Sequence, residues 1–181
     1  GMSAVNAASL PETYFTIWSN IFMTAGLSAN EVFLVHGGAG GLGTTSIQLA
    51  KAFGATAVAT DSPAERCAIC AELGADRVID YNEEDFVDVV RNEFGSAQVI
   101  LDIVGGPYID RNIKAARHDA RIFQLAFALG SKVEVNLEKR WTSLLLRCRN
   151  GTIQPSILKP CRSIYSNRNF CPETSTPLHS K

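Results

Sequence analysis

The chain has 181 residues, 46% apolar and 19% charged, with a formal net charge of −1, which suits one compact α/β unit with short appendages. A charge so near zero provides no global field for a polyanion or an anionic bilayer, so neither nucleic-acid nor membrane partners are expected. No apolar run approaches the roughly 20 residues needed to cross a bilayer, and no basic stretch leads into an apolar core as in a secretory signal; the expectation is a soluble, cytoplasmic protein.

Taken in chain order, residues 12–23 place Tyr14, Phe15, Ile17, Trp18, Ile21 and Phe22 at helical spacing behind Pro11. This predicts an amphipathic helix with a large aromatic face. After Gly26 comes a short apolar run, Val32-Phe33-Leu34-Val35, then the turn Gly38-Ala39-Gly40-Gly41-Leu42-Gly43, then a helix from about Thr44 to Phe53. The same alternation recurs. Thr56 to Thr60 reads as a second strand, followed by a helix behind Pro63 that ends at Leu73-Gly74, glycine being suited to a helix C-terminus. Arg77-Val78-Ile79 is a third strand and residues 83–93 an acidic helix. Val99 to Val104 is a fourth strand, continuous in apolar residues as one buried on both faces should be. A helix near 107–116 leads to a fifth strand, Ile122 to Phe127.

Strands joined by helical crossovers imply a doubly wound parallel α/β sheet of Rossmann type. It is flanked by a hinge helix over residues 1–26 and an irregular tail over 148–181, with the sheet domain spanning 27–147. From Arg149 onward the chain mixes Pro, Ser, Asn, Thr and Cys without periodicity, the composition of irregular or disordered chain.

Five cysteines are an odd number, and Cys67 and Cys70 share a helical stretch, so a disulfide framework is not expected. Cys67-x-x-Cys70 could be half of a zinc site, but no second close pair and no histidine at ligand spacing accompanies it. It reads as a packed helix face, and no metal site is expected.

A lone G-x-G-x-x-G is a weak signal. Here it follows a buried strand, opens a helix, and is followed 18 residues after Gly43 by Asp61 at the end of the second strand, which is the arrangement of a dinucleotide-binding fingerprint. Gly38 would permit the sharp turn, Gly40 the approach of the pyrophosphate, and Gly43 close helix–strand packing, while the N–H groups at the helix start face the phosphates. His36 just before the turn has no cysteine, serine or carboxylate placed to form a triad with it; it reads as a hydrogen-bonded strand-end residue, and no catalytic side chain is assigned. Hydride chemistry does not require one, because the cofactor carries the reaction.

The segments Ala8-Ser9-Leu10-Pro11-Glu12-Thr13 with Trp18, His36 to Gly43, Ile47 to Lys51, Leu73-Gly74-Ala75-Asp76 and Ile100 to Gly106 resemble the zeta-crystallin-like quinone oxidoreductases of the zinc-independent medium-chain dehydrogenase/reductase superfamily. The resemblance covers residues 4–137. It implies hydride transfer from NAD(P)H to a quinone or activated carbonyl in a cleft between two domains, of which this chain supplies the cofactor-binding one. Met2 leaves no room for a catalytic domain ahead of Ala4, so the chain alone is expected to be inactive. The alternative is a nucleotide-binding module without catalysis.

Beyond Leu137 the family pattern of a helix and sixth strand is not evident; only Gly151-Thr152-Ile153-Gln154-Pro155 echoes a later stretch. Cofactor choice stays open between NADP(H) and NAD(H). Asp61 stands where NADPH-using relatives carry a small residue and would accept ribose hydroxyls, whereas Arg66 matches a lysine that pairs with the 2′-phosphate. The resemblance also implies Tyr81 near the adenosine phosphate, and Val104, Ala126 and Phe127 at the rim where the nicotinamide lies, with Thr16 on a helix facing it. Core packing is the alternative for each. The aromatic face at Tyr14, Phe15 and Trp18, which relatives use between domains, predicts a homodimer.

Overall fold

In the computed structural model, residues 1–132 are described together with the backbone of 145–148. Six strands form one parallel sheet in the order β3-β2-β1-β4-β5-β6. The strands are β1 (Val32–His36), β2 (Thr56–Asp61), β3 (Arg77–Asp80), β4 (Ala97–Asp102), β5 (Ala116–Gln124) and β6 (Leu145–Cys148). Chain order runs outward from β1 through β2 to β3, then returns to β4 on the other side of β1 and continues to β5 and β6. The doubly wound parallel sheet expected from the alternating pattern is present. Its strand order reverses between β1 and β4, and in such sheets the crevice above the carboxyl ends at that reversal receives ligands.

Several helices carry a start or stop signal of their own. Helix α1 (Ala4–Ala8) is capped by the Ser3 hydroxyl, which accepts the Asn6 N–H. Helix α2 (Leu10–Ile17) begins with proline in its first turn and continues as a π-helical stretch over Trp18–Thr24. Helix α3 is Gly41–Ala52, α4 is Ala64–Glu72, α5 is Phe86–Phe94 and α6 is Tyr108–Ala115. The Asp85 carboxylate caps α5 by accepting the Val87 N–H at 2.7 Å, and Gly95 ends the helix at φ 77°, a left-handed position that costs glycine little.

Two apolar cores sandwich the sheet. One joins Ile17 and Ile21 of the N-terminal helix to Ile47 and Ala50 of α3, Cys70 of α4 and the inner residues Phe33, Val35, Ala59 and Leu101. The other packs Phe86, Val87 and Val90 of α5 and Ile109 and Ile113 of α6 on Leu34, Val58, Ile100 and Ile122. The continuous burial of β1 and of Val99 to Asp102 follows from having helices on both faces.

Three sequence expectations are corrected here. The first helix after the turn starts at Gly41 rather than Thr44, so the glycines are themselves its first turn. The fifth strand starts at Ala116 and ends at Gln124, leaving Leu125 to Phe127 past its end; its register on β4 shifts between Ala97 and Val99, and Asp119 stands at φ 65° in the extra chain. A sixth strand does form: Leu145 to Cys148 pairs in parallel with Arg121 to Gln124. Its apolar start, Leu145-Leu146, is too short for periodicity to separate strand from helix, so the β5 edge decides. The irregular tail expected beyond Cys148 lies outside the described residues.

At the opposite end of the sheet Arg121 donates two hydrogen bonds to the Glu31 carboxylate, at 2.9 and 2.6 Å. Both side chains are about one fifth exposed, and forked arginine–carboxylate pairs are the stronger kind. Glu31→Ala is expected to lower stability by about 1–3 kcal/mol, because a half-buried guanidinium is left unpaired; a urea midpoint equal to wild type would show that solvent replaces the pair.

Candidate functional site: a dinucleotide turn at the sheet switch point

The glycine turn is built by three different demands on the backbone. Gly37 takes φ 72°, and both its N–H and that of Gly38 donate to the Thr60 carbonyl at 2.9 and 3.1 Å. The residue that permits the sharp turn is therefore Gly37, one position before the motif. Gly38, expected in that role, instead makes room for its neighbours: a Cβ there would lie 2.7 Å from the Cys70 Sγ and 2.9 Å from the Ala59 Cβ. A Cβ on Gly43 would lie 2.6 Å from both the Cα and the carbonyl oxygen of Gly38 and would also collide with the Gly37 carbonyl. Gly43 thus lets α3 rest directly on the turn.

Gly40, extended at φ −80° and ψ 169°, precedes the first residue of α3 and donates to the Gly37 carbonyl at 3.0 Å. The first three N–H groups of the helix, on Gly41, Leu42 and Gly43, have no intrahelical acceptor, and no side chain caps them. Thr44 N–H is the first to find a carbonyl, that of Gly40, at 2.8 Å. Three amides and the positive end of a 12-residue helix therefore converge at the switch point. Gly41 is exposed, and a Cβ on it would meet only the Thr13 Cγ2, at 3.3 Å. Thr13 of α2 is a neighbour of the turn that sequence reasoning missed; it lies one helical turn from Thr16, which is half-buried and whose carbonyl accepts from Ser19 and Asn20.

The rim beyond β4 and β5 is knitted by main-chain bonds. The Val104 carbonyl accepts the Leu129 N–H at 2.7 Å, Gly106 N–H donates to the Gly130 carbonyl at 2.8 Å, and Leu125 N–H to the Asp102 carbonyl at 2.9 Å. Val104, Ala126 and Phe127 stand on these two facing loops, with Ala126 and Phe127 exposed. A Cβ on Gly105 would strike Phe127, and one on Gly37 would strike the Ile103 side chain, so the ends of β1, β4 and β5 close on one another.

Beneath the rim runs a buried polar chain. His36, 1% exposed, pairs through Nδ1 with the Thr60 hydroxyl at 2.9 Å and through Nε2 with the Asn112 carbonyl oxygen at 2.8 Å. Asn112 donates to Asp102 at 2.8 Å, and the other Asp102 oxygen accepts the N–H groups of Val104 and Gly105 at 2.6 and 3.0 Å. Since the Asn112 oxygen can only accept, the imidazole carries its proton on Nε2 and accepts at Nδ1. Burial is the largest influence on His36 and lowers its proton affinity; the Asp102 charge and the Asn112 bond oppose it, and the Arg111 charge adds to it. His36 is therefore a hydrogen-bonded strand-end residue, as its isolation in the sequence implies.

At the end of β2 the Asp61 carboxylate is 3% exposed and turned inward. One oxygen accepts the Ser62 N–H at 2.9 Å and the Arg66 Nε at 2.7 Å; the other accepts the Ala39 N–H at 2.7 Å and the Arg66 Nη2 at 3.2 Å. Burial pushes this carboxyl up, but Arg66 and the two amides outweigh it and hold it below the usual range. Asp61 ties the glycine turn to the start of α4, where its sequence position suggested a clasp on a ribose. Tyr81, 44% exposed, follows β3 on the same edge, its N–H donating to the Asp61 carbonyl at 3.4 Å. Cys67 donates to the Asp61 carbonyl at 3.3 Å, and burial pushes the Cys70 thiol up to about 11. Both are packed, protonated thiols, and no cluster of metal-ligating side chains occurs among the described residues.

This combination of a strand–glycine turn–helix unit at the reversal of a doubly wound sheet is that of a dinucleotide-binding domain. A family profile described as Zinc-binding dehydrogenase matches residues 41–166, which is well over half of the sequence, and the chain belongs to this family, within its quinone-oxidoreductase-like branch. It is 25% identical over 137 residues to the human quinone oxidoreductase, covering 75% of this chain and 40% of that protein. Among solved structures, quinone oxidoreductase from Pseudomonas syringae pv. Tomato DC3000 is similar with a TM-score of 0.75 and 28% identity, over 82% of this chain and 47% of that one. Escherichia coli quinone oxidoreductase complexed with NADPH gives a TM-score of 0.74 and 28% identity, over 81% and 46%. The chain thus spans less than half the length of these relatives.

Proposed function

We propose that this chain is the cofactor-binding half of an NAD(P)H-dependent reductase acting on quinones or similarly activated carbonyls. The observation that carries the proposal is the set of three acceptor-free amides, on Gly41, Leu42 and Gly43, at the switch point of the sheet. Their donors suit a pyrophosphate, and the bare surface at Gly41 lets it approach the backbone. A bound nicotinamide supplies the hydride; the loops carrying Val104, Ala126 and Phe127 offer one wall to position it. The activity named for the human and bacterial relatives supports the substrate class.

Phe15 and Met23 are 70% and 73% exposed on the N-terminal helix; this apolar face supports pairing of two copies. No described helix is long and apolar enough to cross a membrane.

Calorimetric titration with NADH and NADPH tests the site, using Gly41→Asp as the probe. A Cβ at Gly41 meets only one methyl group, and aspartate in a first helical turn is favourable for folding, so the variant should keep its thermal midpoint. It should nonetheless weaken dinucleotide binding about tenfold or more, because its charge opposes the phosphates. Equal affinity before and after the substitution would sink the proposal.

A further inference from the structure

The carboxylate of Asp61 already has what an incoming anion would seek. Four donors converge on it, the N–H groups of Ala39 and Ser62 and two nitrogens of Arg66. A carboxylate offers about four lone-pair positions, so no acceptor site remains for a ribose hydroxyl. The guanidinium is turned toward the protein by this pair although it is 46% exposed. In dinucleotide folds the end of the second strand faces the adenosine ribose, and here Asp61, Arg66 and Tyr81 meet at that edge.

Resting on the dinucleotide reading above, we propose that Asp61 is a built-in occupant of an anion site beside the glycine turn, and that it selects NADH over NADPH by filling that site rather than by binding the ribose. Ala39 N–H, Ser62 N–H and Arg66 make up a cradle that would hold a phosphate in the absence of the carboxylate. With Asp61 present, a 2′-phosphate meets a fixed negative charge and an arginine whose fork is taken. This differs from a ribose clasp in a measurable way. A clasp loses NADH affinity when it is removed; a plug does not, and its removal opens an anion site.

The full chain and two variants, Asp61→Ser and Asp61→Asn, are titrated with NADH and NADPH by calorimetry and with inorganic phosphate by NMR of backbone amides. The expected result for Asp61→Ser is a shift of the NADPH-to-NADH affinity ratio by about tenfold or more toward NADPH, with NADH affinity changed by less than about threefold. Phosphate should move the Ala39 and Ser62 amide signals in that variant and not in wild type. Asp61→Asn still occupies the site but carries no charge, and should shift the ratio in the same direction through the lost repulsion without opening the site to phosphate, so the test survives if the serine variant does not fold. Adding Arg66→Met to Asp61→Ser should abolish the gain. An unchanged ratio in a folded variant, or a fall in NADH affinity as large as the change in NADPH affinity, overturns the proposal. If wild type binds neither dinucleotide while phosphate still moves the two amides in Asp61→Ser, the anion site stands and the dinucleotide reading fails.

Discussion

Gly43→Ala is expected to cost about 1–3 kcal/mol of stability and to weaken dinucleotide binding about tenfold or more. The added methyl would stand 2.6 Å from the Gly38 Cα and carbonyl oxygen and closer still to the Gly37 carbonyl. All three are backbone atoms, so none can move aside by changing rotamer. Either α3 lifts off the turn or the turn opens, and both displace the amides of Gly41 and Leu42 from their common focus. In a chain of this length the stability loss corresponds to a fall in Tm of roughly 2–12 °C. Gly41→Ala is the internal control. Its methyl meets only the Thr13 Cγ2 at 3.3 Å, and alanine is a better helix former than glycine, so its Tm should be unchanged or slightly raised. Equal melting temperatures for the two variants would show that the helix does not rest on the turn.

Asn112→Leu should be the most destabilising single substitution in the buried polar chain. Asn112 is fully buried and serves two partners, accepting from His36 Nε2 and donating to Asp102. Leucine has the same branched skeleton but leaves a buried N–H and a buried carboxylate oxygen each one bond short, at a cost of about 2–5 kcal/mol. Asp102 also holds the Val104 and Gly105 amides, so the rim loop should loosen with it and its amides exchange faster with solvent. A urea midpoint within error of wild type would show that water enters and replaces the lost partners.

The same chain predicts a pH response. His36 binds its proton more weakly folded than unfolded, chiefly through burial, with the Arg111 charge adding to this and Asp102 and Asn112 opposing it. Its neutral form therefore contributes stability that is complete above the unfolded pKa near 6.5 and is lost as pH falls below it. Urea midpoints of wild type should decline from pH 7.5 to 5.5 more steeply than those of His36→Gln; parallel declines would place the proton uptake elsewhere.

Much of this was legible in the sequence because the signals are local. The alternation of apolar runs with helical periodicity is written within windows of 5–15 residues, and it points to a parallel sheet because parallel neighbours need a crossover of that length, usually a helix, between them. The turn was legible because three glycines at fixed spacing between a strand and a helix serve one backbone geometry. The element ends were less so: β5 begins at Ala116 within what reads as the end of a helix, since pairing with Ala97 overrides local preference, and β6 forms on an edge that periodicity does not reveal.

What the sequence by itself determined is the architecture and the place of the turn, because backbone propensities and apolar spacing act between residues close in the chain. What only the tertiary structure decided is what the polar side chains do. Asp61 reads as a ribose ligand until Ala39, 22 positions earlier, and Arg66 are brought onto it; Gly37 rather than Gly38 takes the left-handed position, and Gly38 is instead where Cys70 and Ala59 leave no room for a Cβ. His36 and Asp102 become one network only through Asn112, 76 residues beyond the histidine. Hydrogen bonds are short-ranged and directional, so their partners follow from the packing of the sheet and helices and not from spacing along the chain.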